Sequence, residues 1–302
     1  MSAGTAADAR FALRSAGLCA TVSARGAELR SFRPDGAREW LWQGDPAWWA
    51  GQAPLLFPVI GRSPDGMARW QGRSFAMPPH GVARQRVFRV LAADTDRALF
   101  ELVDDDTTRS HYPFAFRLTV AYALAPDALT MTVTAHNPAR DAILPASIGF
   151  HPAFAWPLLP GAPKTAHVVR FTDDEPASIR RIDANGLGLK QALPTPVRGK
   201  ILALEDGLFT ADAVIFDRLT SRRLWFGVPG QEGLRVDFPD CPHLGIWMKP
   251  GAPYLCLEPW QGFAPEAGDD GDLANRPGIV LVPPGGTLSR TLRLAPDLVP
   301  TD

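Results

Sequence analysis

From Phe116 to Leu124 the chain alternates without a slip: Phe116, Leu118, Val120, Tyr122 and Leu124 are large and apolar, and Arg117, Thr119, Ala121 and Ala123 between them are small or polar. A period of two puts one set on each face of a pleated strand, so this segment reads as a β-strand with one face in a core. Pro126-Asp127 turns the chain, and Leu129, Met131, Val133 and Ala135 then alternate with three threonines up to Asn137-Pro138. Two alternating runs around a turn make an antiparallel hairpin. Shorter runs of the same kind recur at Leu18 to Val22 and Leu29 to Phe32, at Leu99 to Val103, and at Val168 to Phe171. Others follow at Leu224 to Val228, Leu234 to Phe238, Leu244 to Met248, Tyr254 to Leu257, Ile279 to Val282 and Thr287 to Leu294. No window of comparable length keeps a helical period.

A parallel α/β sheet needs crossover helices, whereas many short strands separated by 27 glycines and 30 prolines fit an all-β fold, a large antiparallel β-sandwich. At 302 residues the chain has the length of two average domains, but sandwiches of this size form single units, and one domain spanning 1–302 is expected. Asp104-Asp105-Asp106 reads as a solvated acidic turn. Trp40, Trp42, Trp48 and Trp49 crowd around Gly44-Asp45-Pro46, where capping a core or covering a sheet edge is the expected role ahead of stacking on a ligand.

A net charge of −1 offers no basic surplus for a phosphate backbone, so nucleic acid is not an expected partner. Cys19, Cys241 and Cys256 form no CxxC and no paired framework, and they read as free thiols of a reducing compartment. Met1 to Arg10 lacks the apolar core of a secretion signal, and no later run is long enough to span a bilayer. A cytoplasmic protein without membrane contact, monomeric or homodimeric, is the expectation.

Two residues sit where their chemistry is awkward. His151, in Gly149-Phe150-His151-Pro152-Ala153-Phe154, lies between a bulky ring and a proline, in surroundings of low dielectric that tune a proton donor. Glu258 ends the apolar run Tyr254-Leu255-Cys256-Leu257 and precedes Pro259-Trp260; a carboxylate there costs free energy unless it is paired or used. The bland alternative is a Glu258 satisfied by an arginine such as Arg62. His80, in His80-Gly81-Val82-Ala83-Arg84, lies on a loop able to present an imidazole and a guanidinium together. The remaining histidines, His111, His136, His167 and His243, have no comparable setting.

These pieces, with Pro54-Leu55-Leu56-Phe57-Pro58-Val59-Ile60-Gly61-Arg62 and Leu244-Gly245-Ile246-Trp247-Met248-Lys249-Pro250-Gly251, fall in one order along most of the chain. In that order the sequence resembles the aldose 1-epimerase (mutarotase) family of the galactose mutarotase-like superfamily, nearest its LacX-like branch. The resemblance implies a β-supersandwich with a sugar cleft on a concave sheet face and interconversion of α and β anomers without a cofactor or metal. It matches Glu258 with the general base, His151 with the general acid and His80 with a second imidazole on the ring-oxygen side. It matches Arg62 with a sugar-hydroxyl ligand and Trp247 with an aromatic beside the ring. Asp212 corresponds to a hydroxyl-binding aspartate in a stretch that departs from the pattern of the best-known members.

The chemistry asks for such residues. Opening a pyranose hemiacetal removes the C1 hydroxyl proton and delivers a proton to the ring oxygen, which two opposed proton-transfer groups accomplish. Three other functions fit the same inventory: a hexose-phosphate epimerase of the same superfamily, with Arg84 and Arg86 as phosphate ligands; a non-catalytic sugar-binding protein; and a metal site formed by His80, His151 and Glu258.

Overall fold

A computed structural model describes residues 9–298; most of the amino-terminal segment read for a secretion signal, 1–8, lies outside the described residues. Two sheets dominate. The larger has nine strands in the spatial order Ile201–Ala203, Val168–Phe171, Arg223–Gly227, Glu232–Asp237, Thr287–Leu298, Leu129–His136, Arg117–Leu124, Arg97–Val103 and Arg89–Ala93. The smaller runs Val214–Phe216, His243–Trp247, Tyr254–Trp260, Gly149–Phe150 and Leu55–Leu56, with Ala153–Ala155 also pairing Tyr254–Trp260. Each of these ladders is antiparallel, and the expected sandwich is the observed fold.

The hairpin read first from the sequence is central to the large sheet. Leu129 pairs Leu124 and His136 pairs Arg117, and in both strands the apolar set is buried while the intervening residues stay partly or fully exposed. Val120, Val133 and Leu234 of this sheet join Leu255, Leu257, Phe154 and Ile246 of the smaller one in a continuous apolar core. Burying such side chains contributes about 1.5–3 kcal/mol each, which is why the alternation is so regular here.

One expectation fails locally, and one kind of strand lies outside the sequence pattern. Asp104-Asp105-Asp106 is the start of a short helix, Asp106–His111, instead of a solvated turn. Asp105 accepts from the Thr108 amide while Thr108 Oγ1 accepts from the Asp105 amide, a reciprocal cap that satisfies two free donors. Asp104, with its side chain only 6% exposed, binds Arg109 and the Phe116 amide. Edge strands with no buried face, such as Arg89–Ala93, escaped the pattern because all five of their residues are exposed. No helix among the described residues is long and apolar enough to cross a membrane.

Candidate active site

The site is built on the outer face of the smaller sheet. In Tyr254–Trp260, Leu255 and Leu257 point into the core and Cys256, Glu258 and Trp260 point the other way, as strand alternation requires. On one side Gly245 pairs Glu258 and Trp247 pairs Cys256. On the other, Gly149 pairs Trp260 and Ala153 pairs Cys256, with the ladder interrupted between them at His151-Pro152. The same register carried across the interruption sets His151 opposite Glu258. His151 Nε2 lies 3.1 Å from Glu258 Oε2.

Two glycines make room for the floor. A Cβ on Gly245 would strike the Trp260 indole, and one on Gly149 would lie 2.8 Å from Trp260 Cδ1. The indole therefore spreads over both positions, and with Leu56, Ile60 and Ile215 it forms a small apolar cluster separate from the main core. Trp49 stands against the His151 ring at 5.0 Å between centroids and meets Trp247 edge-on at 5.9 Å. Trp40, by contrast, is buried against Phe32 in the core. The tryptophan segment thus divides between the expected core role and a place at the site, the role ranked second from the sequence.

The opposite wall comes from loops. His80 adopts φ 64°, in the left-handed region, and Gly81 follows it at a point where any Cβ would collide with the Phe57 carbonyl. The Gly61 amide donates to His80 Nδ1 at 3.2 Å and the His80 amide donates to the Gly61 carbonyl at 2.8 Å. An imidazole accepting at Nδ1 carries its proton on Nε2, so neutral His80 is a fixed donor. Asp212, also left-handed with φ 63°, accepts from the Ala213 amide and is held by Arg181, which donates to its carbonyl at 2.6 Å.

Between the walls lies a cleft of about 390 Å³ that touches Arg62, His80, His151, Asp212, Trp247 and Glu258 together. That volume is at the small end of the usual range for ligand sites, about 300–1,000 Å³. All six residues singled out from the sequence are therefore neighbours. Arg84 and Trp260 line the cleft as well, and so does the segment around Ile182 and Gly186, for which the sequence offered no signal. Arg86 binds Asp105 and lies outside the lining.

Electrostatics distinguish the pair from its surroundings. Burial holds the Glu258 carboxyl well above its usual range, reinforced by the charge of Asp212. Burial drives His151 down to about 3, and Arg84 adds to the effect. The two groups, 2% and 11% exposed, therefore share a single proton over a wide pH range. Burial and the nearby His151 and arginines likewise keep His80 neutral. Glu258 is satisfied by His151, and no ion pair links it to Arg62 among the described residues. Potential metal ligands cluster as His151, Cys256 and Glu258, with donor atoms within 4.8 Å of one another; His80 takes no part in that group. Burial and the Glu258 charge keep the Cys256 thiol protonated.

The model of the family described as aldose 1-epimerase matches residues 10–294. The chain belongs to the aldose 1-epimerase family. Among curated relatives of this family, the chromosomal LacX protein of Lactococcus lactis subsp. lactis is 31% identical over 275 residues, covering 88% of this chain and 92% of that one. Among solved structures, a galactose mutarotase-like protein from Lactobacillus casei superposes with a TM-score of 0.88 at 24% identity, over 96% of this chain and 100% of that one. A galactose mutarotase related enzyme from Lactobacillus acidophilus does so with a TM-score of 0.87 at 26% identity, over 97% and 99% of the two chains. The aldose 1-epimerase fold expected from the sequence is thus shared over 96–97% of this chain.

Proposed function

We propose that the protein interconverts the α and β anomers of a free aldohexose, with Glu258 and His151 exchanging protons with the sugar. The observation that carries this reading is the 3.1 Å contact between the two groups inside a sugar-sized cleft. A hemiacetal carries its hydroxyl and its ring oxygen on the same carbon, so an acid and a base this close to each other are within reach of both.

Ring opening proceeds from the one-proton pair in its ion-pair form, carboxylate at Glu258 and imidazolium at His151, reached when the shared proton crosses their 3.1 Å contact from the carboxyl to the imidazole. Glu258 takes the C1 hydroxyl proton, the ring C–O bond breaks as a carbonyl forms at C1, and His151 gives its proton to the ring oxygen. The pair ends as carboxylic acid and neutral imidazole, the state that burial favours. Rotation about the C1–C2 bond presents the other carbonyl face, and reversal of the transfers closes the ring. Arg62 and Asp212 hold hydroxyls, His80 donates from Nε2 on the ring-oxygen side, and Trp247 lies along the apolar face of the sugar. The chemistry needs no redox step.

Polarimetry or NMR exchange on freshly dissolved α-D-glucose and α-D-galactose tests this directly, with catalysed anomer exchange expected for at least one. A folded protein that leaves both at the spontaneous rate would sink the reading.

A second reading has its own support. Arg62 and Arg84 both line the cleft, burial and the neighbouring Arg62 charge lower Arg84, and neither arginine has an ion-pair partner among the described residues. A phosphate-bearing aldose would neutralise them, and the same assay on glucose 6-phosphate discriminates: a higher kcat/KM than for the free sugar supports the phosphorylated substrate.

A further inference from the structure

Arg276 is only 5% exposed, and no carboxylate lies within ion-pair distance of it among the described residues. Taking a guanidinium out of water without a counter-ion is costly, so its hydrogen bonds must account for its place. It donates from Nη2 to the Ile60 carbonyl at 2.5 Å and to the Arg62 carbonyl at 2.9 Å, and from Nη1 to Ser63 Oγ at 3.1 Å. Ile60 and Arg62 flank Gly61, whose amide and carbonyl are the two groups that engage His80. One buried cation thus grips the backbone on both sides of the residue that orients His80, at the root of the Arg62 side chain.

The backbone that follows Arg276 is anchored to the strand wall. The neighbouring Pro277 carbonyl accepts from the Phe263 amide at 3.3 Å, and the Gly278 carbonyl accepts from Gln261 Nε2 at 2.6 Å. Both partners lie just past Trp260, the end of the strand that carries Glu258. Burial lowers the guanidinium to about 10, opposed by the more distant Asp269, so it stays charged at neutral pH.

We infer that Arg276 is a positioning residue for sugar binding: its guanidinium ties the loop bearing Arg62 and His80 to the strand bearing Glu258 and sets the distance across the cleft. This rests on the reading of the cleft as a sugar site. It acts through Arg62 and His80 and touches neither the sugar nor the proton-transfer pair.

The test compares Arg276→Met, Arg276→Lys and Ser63→Ala with the unsubstituted protein, each checked for folding by circular dichroism. Arg276→Met is expected to raise KM for the aldose about tenfold or more while kcat changes less than about threefold, because Glu258 and His151 are fixed by the sheet. Arg276→Lys, keeping the charge with fewer directed donors, recovers part of the loss, and Ser63→Ala raises KM by about twofold. Histidine ¹⁵N NMR reads the same tie without turnover: a single Nε2–H tautomer of His80 in the unsubstituted protein and in Arg276→Lys, and a mixture in Arg276→Met. A folded Arg276→Met with unchanged KM and an unmixed His80 overturns the inference, as does a fall in kcat equal to the rise in KM. Should Arg276→Met not fold, Arg276→Lys and Ser63→Ala decide, and binding and tautomer identical to the unsubstituted protein in both overturn it. If the unsubstituted protein exchanges no anomers, the functional reading falls, while the His80 tautomer still decides the role of Arg276.

Discussion

The two walls of the cleft are built by different means. Glu258, Trp247 and Trp260 belong to the strands His243–Trp247 and Tyr254–Trp260, whose ladder to each other runs unbroken, and His151 sits in the gap between two segments that pair the other edge of Tyr254–Trp260. Arg62, His80 and Asp212 stand on loops, two of them at left-handed backbone positions; buried Arg276 and Arg181 clamp the backbones at Arg62 and Asp212, and Gly61 holds that of His80. Proton transfer tolerates little displacement, and a sheet delivers that rigidity through pairing alone. Recognition of hydroxyls tolerates more, and loops can vary without disturbing the core. The division teaches that rate and affinity should respond to different walls.

The strongest challenge to that division is Glu258→Gln, which keeps the shape of the strand wall and removes its base. A drop in kcat of roughly 100-fold to 10,000-fold is expected, with sugar affinity by tryptophan fluorescence nearly unchanged, and His151→Asn should match it. If either loses affinity in step with rate, the walls are not separable. On the loop side, Arg62→Ala is expected to raise KM by about 10-fold to 100-fold, the value of a charge-assisted hydrogen bond, with kcat within a few-fold. A large loss in kcat there would erase the contrast.

Glycine substitutions sharpen it. Gly245→Ala pushes a methyl into the Trp260 indole under Glu258, and a destabilisation of about 1–3 kcal/mol together with a fall in kcat is expected from urea melts and progress curves. Gly186→Ala meets only the flexible Arg62 side chain, 2.9 Å from its Cδ, at φ 78°, so about 1 kcal/mol and a change confined to KM are expected.

The smallest expected effect is the response to pH near neutrality. Activity needs the pair to hold one proton. It is lost in acid only where His151 takes up a second, near 3, and in alkali where the raised Glu258 gives up its own, so kcat/KM stays level through histidine's ordinary 6.5. An acid limb centred on 6.5 would place the pair in water-like surroundings. Stability carries two opposite slopes. The unfolded chain protonates His151 below 6.5 and the folded one only near 3, so stability declines as pH falls through that window. The folded chain keeps Glu258 protonated above the ordinary carboxylate range, where the unfolded chain loses that proton, so stability also declines as pH rises beyond it, and denaturation midpoints at successive pH values would register a maximum between the two.

How far the sequence went depended on whether a signal was local. The strands Arg117–Leu124 and Leu129–His136 were legible because each has one buried face, and Glu258 and His151 stood out because ionisable groups in apolar runs need a reason. The helix Asp106–His111 carried its cap in Asp105 and Thr108 but is too short to show a period of 3.6. Trp49 was read with its neighbours because nothing within its own segment separates a tryptophan on the core from one against His151.

Alternation and punctuation by glycine and proline determined the strands, their faces and the fold class, since those depend on contacts every residue makes with its own face of a sheet. The meeting of His151 with Glu258 was decided by strand register, a long-range choice in which one residue of slip would turn the histidine to the other side of the sheet. The clamp of Arg276 on Ile60 and Arg62 was decided the same way, because a guanidinium finds carbonyls more than two hundred positions away only after the whole core has closed.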